Sequence, residues 1–299
     1  MRKYDFFVDY CSLLIANISL FGNMFIFKHI LDLQDFLQNQ SNIGFVPTMG
    51  ALHEGHISLI HSSSKSCQIT VCSIFVNPTQ FNDPKDFEKY PINLERDIEM
   101  LAMAGCDVLY LPQISEMYPA GIQTLRQYNL GYLNTILDGA FRPGHFNGVC
   151  AIVHQLLLAV KPQHLFLGEK DFQQCMVIRQ LVDQEQLPVQ VHAMATFRMK
   201  SGLAMSSRNQ RLSENGIQKA ASLYRVLKEI GTEKYQHSFS DLRTKALQQL
   251  AIEGFETEYL VLADANTLHF LEDFNQAVTM VVLIAAKLES VRLIDNLRI

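Results

Sequence analysis

From Ile43 onward the chain alternates short β-rich runs with helical stretches, and no other feature of the sequence restricts its fold as strongly. Residues 43–46 lead to a helix predicted from about Gly55, residues 69–76 to one at about 94–104, and residues 107–111 continue the series. Gly105 stands where a helix C-terminal cap is expected. Residues 147–160, NGVCAIVHQLLLAV, read as a largely buried helix stopped by Pro162, which leads to a strand at 164–167 and a helix from Asp171. A further β-rich run covers 189–193. Such alternation predicts a parallel sheet with helices on its faces. Beyond about residue 195 the order changes to two helices, about 213–230 and 240–253, followed by β-rich runs at 257–263 and 278–286. A domain boundary is therefore expected near Ala195, with no Pro- or Gly-rich linker between closely packed units.

A length of 299 residues favours two domains sharing a cleft. Apolar content of 48% and charged content of 18% describe a globular chain with core enough to need no staples. A net charge of −5 gives no general attraction to nucleic acid, although a local basic pocket stays possible. The six cysteines, at 11, 67, 72, 106, 150 and 175, form no CxxC pair and are expected to be reduced thiols in the cytoplasm. Residues 11–27, CSLLIANISLFGNMFIF, form an apolar run shorter than the ~20 residues needed to span a bilayer, interrupted by Asn17, Ser19, Gly22 and Asn23. Asp5 and Asp9 spoil the basic start of a signal peptide. Residues 1–23 are expected to be an extension outside the working fold, with surface packing and membrane association as alternatives.

Four clusters carry chemistry. The first is PTMGALHEGH, residues 47–56. As a metal site it fits poorly, because His53 and His56 are three apart, not four, and Gly55 weakens the helix. As a phosphate site it fits better: the segment follows a strand, brings glycines near a ligand and opens a helix whose free N–H groups favour anions. Imidazoles at i and i+3 share a face, so both can donate to phosphate oxygens. Two surface histidines on a loop remain the plain alternative. The second cluster, Gly168-Glu169-Lys170-Asp171, puts a cation at a helix N-terminus, which is unfavourable unless an anion joins it; Asp171 as N-cap beside a solvated lysine is the alternative. The third, Met205-Ser206-Ser207-Arg208-Asn209 after Gly202, suits a loop closing on phosphates and equally suits an ordinary turn. The fourth joins FVNPTQF, with Asn77 and Gln80, to Arg142-Pro143-Gly144-His145-Phe146; Asn77, Gln80 and Gln174 can hydrogen-bond a small hydroxylated acid, or serve as polar turn and helix-face residues.

Taken in order, PTMGALHEGH, SIFVNPTQF, RPGHFNGV, LFLGEKDFQQ, GLAMSSRN and VRLIDN resemble the pantoate–β-alanine ligase (pantothenate synthetase) family of the HxGH nucleotidyl transferases, over roughly residues 24–296. The resemblance implies an α/β fold, a Rossmann-like doubly wound parallel sheet at 24–195 that binds ATP and pantoate, with a smaller C-terminal α+β lid domain at 196–299. It implies that pantoate's carboxylate attacks the α-phosphate of ATP, releasing pyrophosphate, and that β-alanine's amine then displaces AMP from pantoyl adenylate. By motif, Met49, Gly50, Ala51, Leu52, His53, Glu54, Gly55 and His56 would line the ATP site, His56 as proton donor to the leaving pyrophosphate and His53 as a phosphate contact. Gly168, Glu169, Lys170 and Asp171 would also hold ATP, with Lys170 neutralising phosphate charge. Met205, Ser206, Ser207 and Arg208 would close over the phosphates, and Phe197 would flank the nucleotide. Gln80, Gln174 and Asn77 would hold pantoate and β-alanine. Mg2+ would accompany ATP in a cytoplasmic homodimer; the net charge argues against a nucleic-acid partner, and membrane association is the less favoured alternative, through residues 11–27. The metal ligands are left open.

Three positions depart from the family pattern: Ser201 where Asp is common, Ile92 where Arg is common, and Phe197 where an aliphatic residue is common. They bear on loop geometry and nucleotide affinity. Another HxGH transferase would have no use for GEKDFQQ and VNPTQF, and a non-catalytic nucleotide sensor would have little reason to keep every phosphate-facing group.

Overall fold

The computed structural model describes residues 24–82, 84–122 and 126–299, the side chains of 84 and 85 excepted. The extension at 1–23, with Cys11, lies outside the described residues. Six parallel strands, β1 (Phe25–Phe27), β2 (Ile43–Thr48), β3 (Ile69–Ile74), β4 (Val108–Tyr110), β5 (His164–Gly168) and β6 (Gln190–Met194), lie in the order β1-β4-β3-β2-β5-β6. The principal helices of this unit are α1 (Ile30–Leu37), α2 (Glu54–Ser66), α3 (Leu94–Met103), α4 (His145–Val160) and α5 (Phe172–Gln184). From β2 the chain first builds outward through β3 and β4, then returns to β2's other side with β5 and β6. The winding therefore reverses between β2 and β5, and ligands of open α/β sheets bind outside the carboxyl ends at such a point.

Side-chain alternation divides the core. Phe45, Val71 and Leu165 face α4 and α5, where Val149, Leu156, Ile178 and Leu181 meet them. Their chain neighbours Val46, Cys72 and Phe166 face α2 and α3, against Ile57, Ile60, Ile98 and Leu101. Both faces are covered, so the strands read as continuous apolar runs. Gly105 caps α3 as expected: at φ +76 it donates to the Ala102 carbonyl while Cys106 donates to Leu101, the paired bonds of a Schellman motif.

The C-terminal unit is an antiparallel sheet, β7 (Glu256–Asp264), β8 (Met280–Leu288) and β9 (Val291–Arg298), with helices α6 (Ser222–Glu233) and α7 (Phe239–Ile252). One face, through Leu260, Leu262, Val282 and Ile284, packs on Leu223, Val226 and Leu250 of these helices. The other, through Tyr259, Val261, Ala263, Val281 and Leu283, joins the core beside α4 and α5. The parallel sheet with flanking helices and the smaller α+β unit are thus as expected. β1 and β9 are additions that the hydrophobic pattern did not mark. Polar contacts reinforce the docking: Arg292 and the Tyr259 hydroxyl both donate to the buried Asp138 carboxylate, at 2.6 and 2.9 Å. Burial alone would raise the Asp138 pKa, but Arg292 holds it below the usual carboxylate range. No helix among the described residues is long and apolar enough to cross a membrane.

Candidate active site

The first half of the site is the turn after β2. Gly50 (φ +77) and Ala51 (φ +51) are both left-handed, and the N–H groups of Ala51 and Leu52 donate to the two oxygens of Asp97 at 2.8 and 2.7 Å. His53 is then extended, His56 lies in the first turn of α2, and their rings stack with centroids 4.0 Å apart. Gly55 makes this possible, since a Cβ there would lie 3.0 Å from the His53 ring. The His53 N–H donates to Nδ1 of His56 at 3.3 Å, which leaves the neutral ring's proton on Nε2. His53 Nδ1 is buried without a partner among the described residues. Burial, with Lys170 nearby, holds the His53 pKa down at about 4; burial, with His53 and Lys170 nearby, holds His56 well below the usual histidine value. Both rings are therefore neutral near pH 7.

The second half follows β5. Gly168 ends the strand, Glu169–Asp171 form a 3-10 turn, and α5 begins at Phe172. The Lys170 ammonium contacts both Asp171 oxygens at 3.2 Å. The turn is fastened from β9: the Asn296 amide donates to the carbonyls of Glu169 and Lys170, both at 2.9 Å, and Arg298 Nε donates to the Glu169 carboxylate at 2.7 Å. The same strand fixes the third cluster. Asp295 takes both guanidinium arms of Arg198 at 2.7 and 2.8 Å, and Arg198 lies 3.8 Å over the Tyr224 ring. Arg198 bridges to Ala204 around Gly202, which sits at φ +92 with no room for a Cβ against Tyr224. The VRLIDN motif is thus the fastening of two loops that line the cleft.

From that hairpin Met205 to Arg208 reach the cleft. The buried Ser207 hydroxyl donates to the Ala51 carbonyl at 3.1 Å, tying the two loops together. Ser206 accepts from the Arg208 N–H, and the Arg208 guanidinium donates to Asp86 at 2.9 Å.

On the apolar side, Asn77 is 1% exposed and its amide is spent internally, on the Gly148 carbonyl, Gln80, Thr79 and Tyr118. Gly148 permits this packing, because a Cβ there would lie 2.3 Å from the Thr79 carbonyl oxygen. The Gln80 carbonyl accepts from His145 Nδ1 at 2.8 Å, and Arg142 contacts the other nitrogen of that ring at 2.9 Å. Burial and Arg142 hold His145 at a pKa of about 3. Adjacent glutamines of α5 divide their work: Gln173 is buried and bonded to Asp138, Leu133 and Ile136, whereas Gln174 faces the cleft without an intramolecular partner among the described residues.

All four clusters converge on one cleft of about 220 Å³. Met49, His53, Gly55 and His56 line it from the first turn, Gly168, Lys170 and Asp171 from the second, Phe197 and Met205 to Arg208 from above, and Asn77, Gln80 and Gln174 below. Gly50, Ala51 and Leu52 are not on its wall, being turned toward Asp97; Glu54 is exposed, and Glu169 is paired with Arg298. Tyr90, Arg142 and His145 also line the cleft. Arg142 and His145 belong to the RPGHF run, to which the sequence alone assigns no role, and no motif marks Tyr90 or Asp97 as a site residue. Among the described residues no group of three or more His, Cys, Asp or Glu is placed to hold a metal.

Comparison with known proteins gives one consistent outcome. The family model described as pantoate-beta-alanine ligase matches residues 25–298. The chain is 43% identical over 270 residues to a pantothenate synthetase of Cytophaga hutchinsonii, covering 89% of this chain and 95% of that one. It superposes on the crystal structure of a pantothenate synthetase from Thermus thermophilus with a TM-score of 0.85 at 38% identity, covering 92% of this chain and 99% of the other. A pantoate-beta-alanine ligase from Francisella tularensis, described as complexed with β-γ ATP and β-alanine, superposes with a TM-score of 0.78 at 36% identity, covering 92% and 97%.

Proposed function

The chain belongs to the pantoate-beta-alanine ligase family, and from that premise we propose how its cleft works. It is an ATP-dependent ligase that joins pantoate and β-alanine to form pantothenate. In the proposed first step a pantoate carboxylate oxygen bonds to the α-phosphorus of ATP as the bond to the bridging oxygen breaks, giving pantoyl adenylate and pyrophosphate. In the second, the deprotonated β-alanine amine bonds to the acyl carbon and AMP leaves with the electron pair of the acyl–oxygen bond.

The observation that carries this reading is the convergence of His53, His56 and Lys170 with Gln80 and Gln174 on one cleft at the winding reversal. Chemistry at phosphorus needs positioning and charge stabilisation more than a protein nucleophile. His56, neutral with its proton on Nε2, would donate a hydrogen bond to the departing pyrophosphate, a bond that strengthens as charge develops. His53 would contact phosphate, Lys170 would exchange its Asp171 partner for phosphate charge, and Ser206 and Arg208 would close from above. Gln80 and Gln174 would hold pantoate, with Gln80 also near β-alanine; Asn77 would hold Gln80. Phe197, 42% exposed, would flank the nucleotide.

Magnesium fits this donor set as a companion of ATP. Among the described lining residues Asp171 is the one carboxylate, and magnesium is commonly held by one or two carboxylates with substrate phosphates and water. When bound it would offset phosphate charge. The domain boundary near Ala195, the lid role of residues 196–299, the homodimer and the cytoplasmic setting belong to the same reading.

Purified protein with ATP and magnesium is expected to form AMP and pyrophosphate in step with pantothenate only when pantoate and β-alanine are both present. ADP formation, or AMP release indifferent to pantoate, would contradict the reading.

A further inference from the structure

Asp97 is a buried carboxylate that the mechanism above does not use. It is 2% exposed and makes no ion pair among the described residues; burial pushes its pKa up, and its charge is met chiefly by backbone hydrogen bonds, with Arg96 as a more distant cation. A buried charge on such terms is costly unless its lone pairs are well satisfied. Its two oxygens accept from two consecutive backbone N–H groups, Ala51 and Leu52, at 2.8 and 2.7 Å. An asparagine in its place would offer one acceptor oxygen and turn an N–H toward an N–H.

The grip falls where the chain most needs one. Ala51 carries a side chain at φ +51, a conformation that persists when its surroundings over-determine it. Its N–H is held by Asp97, and its carbonyl accepts the Ser207 hydroxyl from the loop after Gly202. Leu52, the second partner, directly precedes His53, the residue from which α2 starts. One carboxylate thereby fixes the entry of the stacked histidines and the point on which the Ser206–Arg208 segment docks. These amides are also withdrawn from the cleft, so phosphate contact falls to the side chains and the start of α2.

We infer that Asp97 is a positioning residue for adenylation of pantoate, acting through Ala51 and Leu52 to hold His53, His56 and Ser207 in register. The inference rests on the two-step reading above. It requires that loss of the carboxylate slow the step at phosphorus and spare the step at the acyl carbon, because β-alanine attack does not use pyrophosphate-facing groups.

The test compares wild type, Asp97→Asn and Asp107→Asn. Asp107 accepts a backbone N–H, that of Thr70, at 2.8 Å, but near the amino ends of β3 and β4, away from the cleft. Single-turnover pyrophosphate release with ATP and pantoate reads the first step; pantothenate formation from supplied pantoyl adenylate and β-alanine reads the second. For Asp97→Asn the first rate is expected to fall about 10²-fold, the scale of a misplaced catalytic group, with the second changed by less than about twofold. Asp107→Asn is expected to lower Tm and leave both rates in place. An unchanged first rate in Asp97→Asn, or equal loss in both steps, overturns the inference. Wild type that releases no pyrophosphate in response to pantoate overturns the underlying reading before any variant is made. Hydrogen exchange of the wild-type protein keeps the test open should the variant not fold: the Ala51 and Leu52 amides are expected to be strongly protected, and exchange as fast as an open loop overturns the inference.

Discussion

The two turns at the winding reversal face one cleft and are built in opposite ways. The turn after β2 is set mainly within its own unit, through Asp97, the His53–His56 stack and the missing Cβ of Gly55, with the Ser207 hydroxyl on the Ala51 carbonyl as its bond to the C-terminal unit. The turn after β5 is fastened by the C-terminal unit, through Asn296 and Arg298 of β9. One half of the site therefore draws its shape mainly from the parallel-sheet unit, and the other half from the C-terminal unit.

Variants can break or sharpen that division. His56→Ala removes a donor that strengthens in the transition state, so kcat is expected to fall on the order of 10²–10³-fold with the fold intact by circular dichroism. A near-normal rate would remove the first turn from the chemistry. Gly55→Ala brings a methyl to 3.0 Å from the His53 ring, a crowding of about 1–3 kcal/mol, and kcat is expected to fall about tenfold or more without a matching rise in KM for pantoate. Asn296→Ala frees the carbonyls of the second turn; the expected result is a rise of about tenfold in KM for ATP with kcat little changed. Should kcat fall in Asn296→Ala as it does in His56→Ala, the two turns are not divided in this way.

A last expected effect concerns stability and leaves the rate at neutral pH in place. His145 has a folded pKa of about 3 and an ordinary value of 6.5, so between these values the unfolded chain binds a proton that the folded chain refuses. The stability from its neutral burial is fully present above pH 6.5 and is lost as pH falls toward 3. Urea unfolding is expected to show declining stability through that window, and His145→Asn to remove up to about 1.4 kcal/mol per pH unit of the slope. An unchanged slope would mean that the His145 ring is not held neutral. His53, at about 4, adds to the same acid sensitivity from the first turn.

What the sequence makes legible follows the same division. Strands β2 to β6 and their helices announce themselves, because apolar runs and helical stretches alternate and both sheet faces are covered. β1 is three residues long and continuous with an apolar run, so it carries no period of its own. β9 is hidden for a functional reason: Asp295 and Asn296 are buried polar residues in its second half and break the apolar pattern where the strand ties down two loops. His53, His56, Lys170 and Arg208 stand in short motifs and can be read directly. Asp97 cannot, because its partners lie more than forty residues away and a lone aspartate in an amphipathic helix looks like a solvated face. Asn77 shows the converse: legible as polar and close to the cleft, its amide is nonetheless spent on Gly148, Tyr118 and its own turn.

On the proposed reading both turns face one α-phosphorus attacked by pantoate, and oxygen labelling tests that attack most directly. With 18O in the pantoate carboxylate, complete turnover with ATP and β-alanine is expected to leave one label in the phosphate of each AMP and none in pyrophosphate. AMP free of label, or label in inorganic phosphate or pyrophosphate, would contradict the account.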